Sequence, residues 1–221
     1  INTIGGVEVE LTQTEVDYLS KTNFIRKKKY RKGLKVGKQK LNGYQALGYC
    51  RIRKGYDVIG KPVVTANGLT DDYGRTWRQR TVISKMIEAA KTAGISKLLD
   101  CINVVVDDVA SSLTEEEIID MAKSCFNYKL STTTGFPFTI ASPTMDEVSY
   151  VVACDLATNA TALHRFLFDD MNYTPSATVQ NISYNIINDS GCENQLDLDT
   201  FTVQDDVDSI VSTESDYSDG Y

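Results

Sequence analysis

The chain reads as alternating stretches of short- and long-period apolar patterning. Residues 5–11, GGVEVEL, alternate apolar and charged side chains, as a strand with one buried face does. The basic, glycine-bearing run at 25–38, IRKKKYRKGLKVGK, predicts an exposed loop or ribbon. In LNGYQALGYCRIRK, Asn42 is placed to cap a short helix that contains Leu47 and ends near Arg51. A long connection over 54–72 follows, broken by Gly60, Pro62 and Gly68. The clearest helix runs from Gly74 to Ala93. Val82, Ile83, Met86, Ile87 and Ala90 form its apolar stripe, and Gly94 ends it.

ISKLLDCINVVVDDV predicts a second buried helix, although INVVV also fits a strand. LTEEEIIDMAKSCF starts with Thr114 and carries Glu117 three residues on, a capping box. GFPFTIAS and EVSYVVAC read as strands, and NATALHRFLF and SATVQNISYNIIN as helices. Strands mixed with several long helices argue for an α/β or α+β layered domain.

Charge changes this picture more than composition does. The 221 residues carry a formal net charge of −7, but residues 21–100 hold 20 Lys or Arg against 5 Asp or Glu. Such segregation suits an anionic partner, although for charge runs alone a solvated basic surface balanced by an acidic one is usually the better reading. No Lys or Arg follows Asp189, so residues 189–221 are expected to form an acidic, disordered tail after a domain spanning 1–188. There is no apolar run of membrane-spanning length. The chain begins at Ile1 inside what reads as a domain, so an anchor is expected upstream. Five widely spaced cysteines without a CxxC argue against zinc and leave free thiols or disulfides open.

The stretch with candidate chemistry is DDYGRTWRQR, residues 71–80. Arg75, Arg78 and Arg80 crowd the start of a helix, where the backbone dipole disfavours cations. Arg75 and Gln79 are four apart and share a face, which the stripe through Val82, Ile83 and Met86 turns inward. Arg78 sits one step around. Arg51 and Arg53, two apart, project to one side if that segment is extended. Guanidinium forks converging near free helix N–H groups suit phosphate oxygens, and four or five of them suit a pyrophosphate. The simpler alternative pairs Arg75 with Asp71 or Asp72 as part of a helix cap.

IGGVEVEL, LNGYQALGYCRIR and DDYGRTWRQRTVI, in this order, together resemble the second half of the LytR–CpsA–Psr family of cell-wall enzymes. The third resembles the family's D-[FY]-G-R-x-x-R-Q-R signature, and ALGYCRIR its A-L-x-Y-x-R-x-R. The resemblance implies a three-layer αβα domain around a central mixed sheet, with the N-terminal part lying outside this chain. It implies a place on the outer face of the cytoplasmic membrane, at the cell wall, held by an upstream transmembrane helix. It also implies a phosphotransferase that moves a phosphoglycan of teichoic acid or capsule type from a polyprenyl pyrophosphate carrier to peptidoglycan. Mg²⁺ is implied too, its main ligands expected in the upstream half, as is pyrophosphatase activity on the side. Arg51, Arg53, Arg75 and Arg78 would bind the pyrophosphate. Arg75, Asp72 and Gln79 would be the catalytic group, and Val82, Ile83 and Met86 would wall a lipid tunnel. The expected partners are the lipid-linked glycan, the peptidoglycan acceptor and the membrane surface, with no nucleic acid. Two alternatives compete: a non-catalytic lipid-pyrophosphate or glycan-binding domain, and a nucleic-acid module built on the basic 21–100 segment. The 54–70 connection is longer than the resemblance leads one to expect.

Overall fold

The computed structural model describes residues 1–57, 59–105, 108–128, 131–193 and 196–203. They fall into two compact units, Ile1–Ser131 and Thr132–Asp205. Much of the acidic tail expected over 189–221 lies outside the described residues.

The first unit is built on an antiparallel pair, β1 (Val7–Leu11) and β2 (Gly37–Leu41), in register from Val7 opposite Leu41 to Leu11 opposite Gly37. Alternation sorts the two faces. Val7, Val9, Leu11 and Leu41 are buried, while Glu8 faces Lys40 and Glu10 faces Lys38 across the other side. Helix α1 (Gln13–Lys21) follows β1 at once, because Thr12 and Glu15 form a reciprocal capping box at its start. A short 3₁₀ turn spans Lys28–Arg31 in the basic segment. Helix α2 (Gly43–Cys50) starts at Asn42, whose side chain accepts from the amides of Tyr44 and Gln45, and Arg51 is its C-terminal cap.

Helix α3 (Asp71–Ala93) crosses this sheet and packs on α2. It begins three residues before the predicted start and ends at Gly94, whose φ of 86° favours glycine. Val7, Leu19, Ile25, Leu41, Tyr49, Ile52, Trp77 and Val82 close the core between these elements. Helices α4 (Ile95–Val105) and α5 (Glu115–Ser124) follow, α5 with the expected Thr114–Glu117 box. The stretch read as a buried helix or a strand is helical, but α4 buries none of its residues, and Val104 and Val105 are exposed.

The second unit has two two-residue antiparallel pairings, β3 (Ile140–Ala141) with β6 (Val152–Ala153) and β4 (Thr144–Met145) with β5 (Val148–Ser149). Helices α6 (Leu156–Phe168) and α7 (Ala177–Ser190) follow. Its centre is polar. Fully buried Asn159 accepts from the amides of Phe138 and Thr139 and donates to the carbonyls of Cys154 and Asp155. The α/β class expected from the sequence stands. Among the described residues the sheets are two-stranded and antiparallel, so of the central mixed sheet this chain shows a β1–β2 ribbon.

Candidate functional site: an arginine clamp at the start of α3

Two segments meet at the first turns of α3. Where α2 ends, Arg51 and Arg53 are exposed on either side of Ile52, whose side chain is fully buried. Burying that one apolar residue turns both flanking arginines outward. Arg53 Nη2 lies 3.4 Å from Asp72 Oδ2, and Arg75 Nη2 lies 2.6 Å from Asp72 Oδ1. One carboxylate is therefore shared by guanidinium groups from two separate segments. Both arginines remain open to solvent, with side chains 53% and 36% exposed, and Arg75 Nε has no hydrogen-bond partner.

The acids explain how the helix tolerates cations at its start. Asp71 and Asp72 stand in the first turn, where the backbone dipole favours negative charge. The Arg75–Asp72 pairing is the helix-cap alternative, observed directly. It coexists with the meeting of Arg53 and Arg75. Thr70, at the cap position, accepts no bond from a first-turn amide and instead donates its hydroxyl to Asp71 Oδ2 at 3.5 Å, and Asp71 sits at φ 48°, a left-handed conformation that costs a non-glycine residue about 1 kcal/mol.

The inward face of α3 differs from the one the sequence predicts. Gly74, Trp77, Arg78, Thr81 and Val82 are buried; Arg75 is half-buried and Gln79 is exposed. Arg78, expected among the pyrophosphate-binding residues, is therefore the inward arginine, fully buried and paired with Glu15. Its Nε donates to Glu15 Oε1 at 2.7 Å with both side chains fully buried, and its Nη1 donates to the Ile52 carbonyl at 3.3 Å. The guanidinium also lies over the Tyr49 ring, 5.7 Å from its centroid. Gln79 Nε2 donates to the Cys50 carbonyl at 3.4 Å. Consecutive residues of α3 thus hold carbonyls two residues apart in the segment that presents Arg51 and Arg53.

The proposed tunnel wall divides. Val82 is in the core and Met86 packs against it, whereas Ile83 is 57% exposed. Ile83 and Ile87 continue the half-exposed line of Arg75 and Gln79 at four-residue spacing.

Burial sets the electrostatics. It pushes the Glu15 carboxyl up from its ordinary value, while the Arg78 guanidinium and the Thr12 amide pull it back. It pushes the Cys50 thiol up to about 11, with Arg78 opposing, and raises the Tyr49 phenol well above its usual range. Glu15 is the site residue that sequence reasoning missed. Its signal was the Thr12-x-x-Glu15 capping pattern, since that glutamate caps α1 with Oε2 and meets Arg78 with Oε1.

Fold and site together describe an α/β protein in which Arg53 and Arg75 meet at Asp72. The LytR_cpsA_psr family model matches residues 1–162, and the chain belongs to that family. It is similar to the crystal structure of TagT from B. subtilis, at 18% identity and a TM-score of 0.42, over 86% of this chain and 56% of that one. The chain thus spans little more than half the length of that protein. Among curated proteins none matches the chain.

Proposed function

We propose that this chain supplies the diphosphate grip of an enzyme that transfers a phosphoglycan, of teichoic acid or capsule type, from a polyprenyl pyrophosphate carrier to peptidoglycan. Family membership supports the reaction class. The observation that carries the reading is the sharing of the Asp72 carboxylate by Arg53 and Arg75. A site that holds one anion between two guanidiniums, with further donors open, suits the oxygens of a diphosphate.

In this reading Arg51, Arg53 and Arg75 bind the diphosphate and neutralise charge that grows on the departing phosphate. Asp72 spaces and aims the two arginines. Gln79 fixes the carbonyl preceding Arg51. An acceptor hydroxyl attacks the glycan-bearing phosphorus; its new O–P bond forms as the bond to the carrier phosphate breaks, the carrier phosphate departs, and the hydroxyl proton passes to solvent. The isoprenoid follows the exposed Ile83 and Ile87 line rather than Val82.

Mg²⁺ belongs to the proposal only as the expected counter-ion of the diphosphate. Among the described residues no three His, Cys, Asp or Glu come together as a metal site, and both Asp72 oxygens face arginines. These residues do not by themselves fit the ion, and no step is drawn through it. No described helix is long and apolar enough to cross a membrane. The proposal includes attachment to the outer face of the cytoplasmic membrane by an upstream helix.

The test is transfer of glycan phosphate from a polyprenyl pyrophosphate donor to peptidoglycan by the full-length protein. The proposal expects turnover that Arg75→Ala reduces by at least about tenfold, the worth of one charge-assisted contact. Undiminished turnover in that variant would refute it.

A further inference from the structure

The buried Glu15–Arg78 pair does more than fill the core. Arg78 is one of the largest fully buried side chains, and its partner Glu15 lies 63 residues away in sequence, on α1. Glu15 is itself fixed. Its Oε2 accepts from the Thr12 amide at 2.9 Å, and the Thr12 hydroxyl donates to the Val64 carbonyl at 2.8 Å. From this anchored carboxylate the chain of contacts runs through Arg78 Nε and out through Nη1 to the Ile52 carbonyl. Ile52 stands between Arg51 and Arg53. On the same helix, Arg75 faces out to meet Arg53 through Asp72.

A buried ion pair is weak evidence of stability, because apolar residues of similar volume replace such pairs at little loss. This one has a use that an apolar pair lacks. A planar fork can hold a carboxylate and a backbone carbonyl at once, in fixed directions. The carbonyl it holds belongs to the residue whose burial turns both site arginines outward.

We propose that Glu15 and Arg78 are positioning residues: through the Ile52 carbonyl they set the presentation of Arg51 and Arg53, and so the spacing of the Arg53–Asp72–Arg75 clamp. The inference rests on the diphosphate reading for its consequence, but its geometry can be tested without any ligand. Removing both charges together, Glu15→Leu with Arg78→Met, keeps the core filled and leaves no orphaned charge, yet nothing then holds the Ile52 carbonyl. Arg78→Lys keeps the charge and loses the fork.

The first readout is ligand-free: the arginine Nε–Hε NMR signals of Arg53 and Arg75. In the paired variant, with near-ultraviolet circular dichroism confirming a folded core, these signals are expected to shift and broaden as the clamp loosens. The second readout is the affinity for farnesyl pyrophosphate. It is expected to fall at least about tenfold in the paired variant and in Arg78→Lys, and on an Arg53→Ala background the same changes are expected to add little. If the paired variant folds with unaltered Arg53 and Arg75 signals, the proposal is overturned. Equal affinity in a protein that Arg53→Ala does weaken also overturns it, while leaving the diphosphate reading intact. If the wild type binds no farnesyl pyrophosphate, the diphosphate reading falls, and the ligand-free signals alone decide the positioning role.

Discussion

Gly48 sits inside α2, where replacement by alanine is expected on local grounds to help. Glycine in a helix interior costs roughly 0.5–1 kcal/mol relative to alanine. The structure predicts the opposite sign. A Cβ at position 48 would lie 2.7 Å from Ile25 Cγ1 and 3.2 Å from both the Ile25 amide nitrogen and the Phe24 carbonyl carbon. Ile25 is fully buried and two of these atoms are backbone, so the neighbours cannot simply rotate away. Overpacking of this kind costs about 1–3 kcal/mol. After the propensity gain, Gly48→Ala is expected to destabilise the first unit by up to about 2.5 kcal/mol. The chain has a single tryptophan, Trp77, buried in this core. Urea unfolding followed by its fluorescence reads the effect as a lower midpoint. Leu47→Ala, at an exposed neighbour on the same helix, serves as control and is expected to stay within about 0.5 kcal/mol of wild type. A raised midpoint for Gly48→Ala would refute the packing of α2 on Phe24 and Ile25. That packing fixes the end of α2 from which Arg51 and Arg53 emerge.

Cys50 is expected to resist iodoacetamide at pH 8 in the native protein. Its thiol is raised from 9.0 to about 11, so its contribution to stability is full below pH 9 and is lost as pH rises through 11. Alkylation at pH 8 at the rate of a free thiol would contradict this, and Cys50→Ala is expected to flatten the alkaline slope of stability. Glu117 has the opposite sign. Its bonds from Thr114 hold the carboxyl below its ordinary 4.5, so this support of α5 is present above that value and fades as pH falls. Thr114→Ala is expected to loosen α5 by about 1 kcal/mol, read by amide exchange at pH 7. In the second unit, Asn159→Leu would strand buried amides and carbonyls that now share one side chain. A loss of about 2–4 kcal/mol is expected, seen as faster exchange along α6.

The parts of this fold governed by local chemistry could be read from the sequence. Alternation gave β1, Asn42 gave the start of α2, and Thr114 with Glu117 gave that of α5, because each signal lies within three or four residues of its effect. The register of α3 could not be read that way. An apolar stripe assigned to Val82, Ile83, Met86 and Ile87 turns Arg75 and Gln79 inward, whereas the arginine that faces in is Arg78, paired with Glu15 across 63 residues. The Trp77 position was the clue, since burying that ring places Gly74, Arg78 and Thr81 inward with it. The meeting of Arg53 with Arg75 was legible as a convergence of motifs. The Arg78–Glu15 pairing was not, because it is a tertiary contact with α1. Helix α4 was misjudged for a related reason. Its apolar composition reports what it could bury, and within the described residues it buries none.

The central claim is that Arg53 and Arg75 grip one diphosphate together. A double-mutant cycle tests it most directly, with calorimetric titration of farnesyl pyrophosphate into the wild type, Arg53→Ala, Arg75→Ala and the double variant. The account predicts measurable wild-type binding, a loss of about tenfold or more for each single change, and a combined loss smaller than the product of the two. Unchanged affinity in both single variants would contradict it.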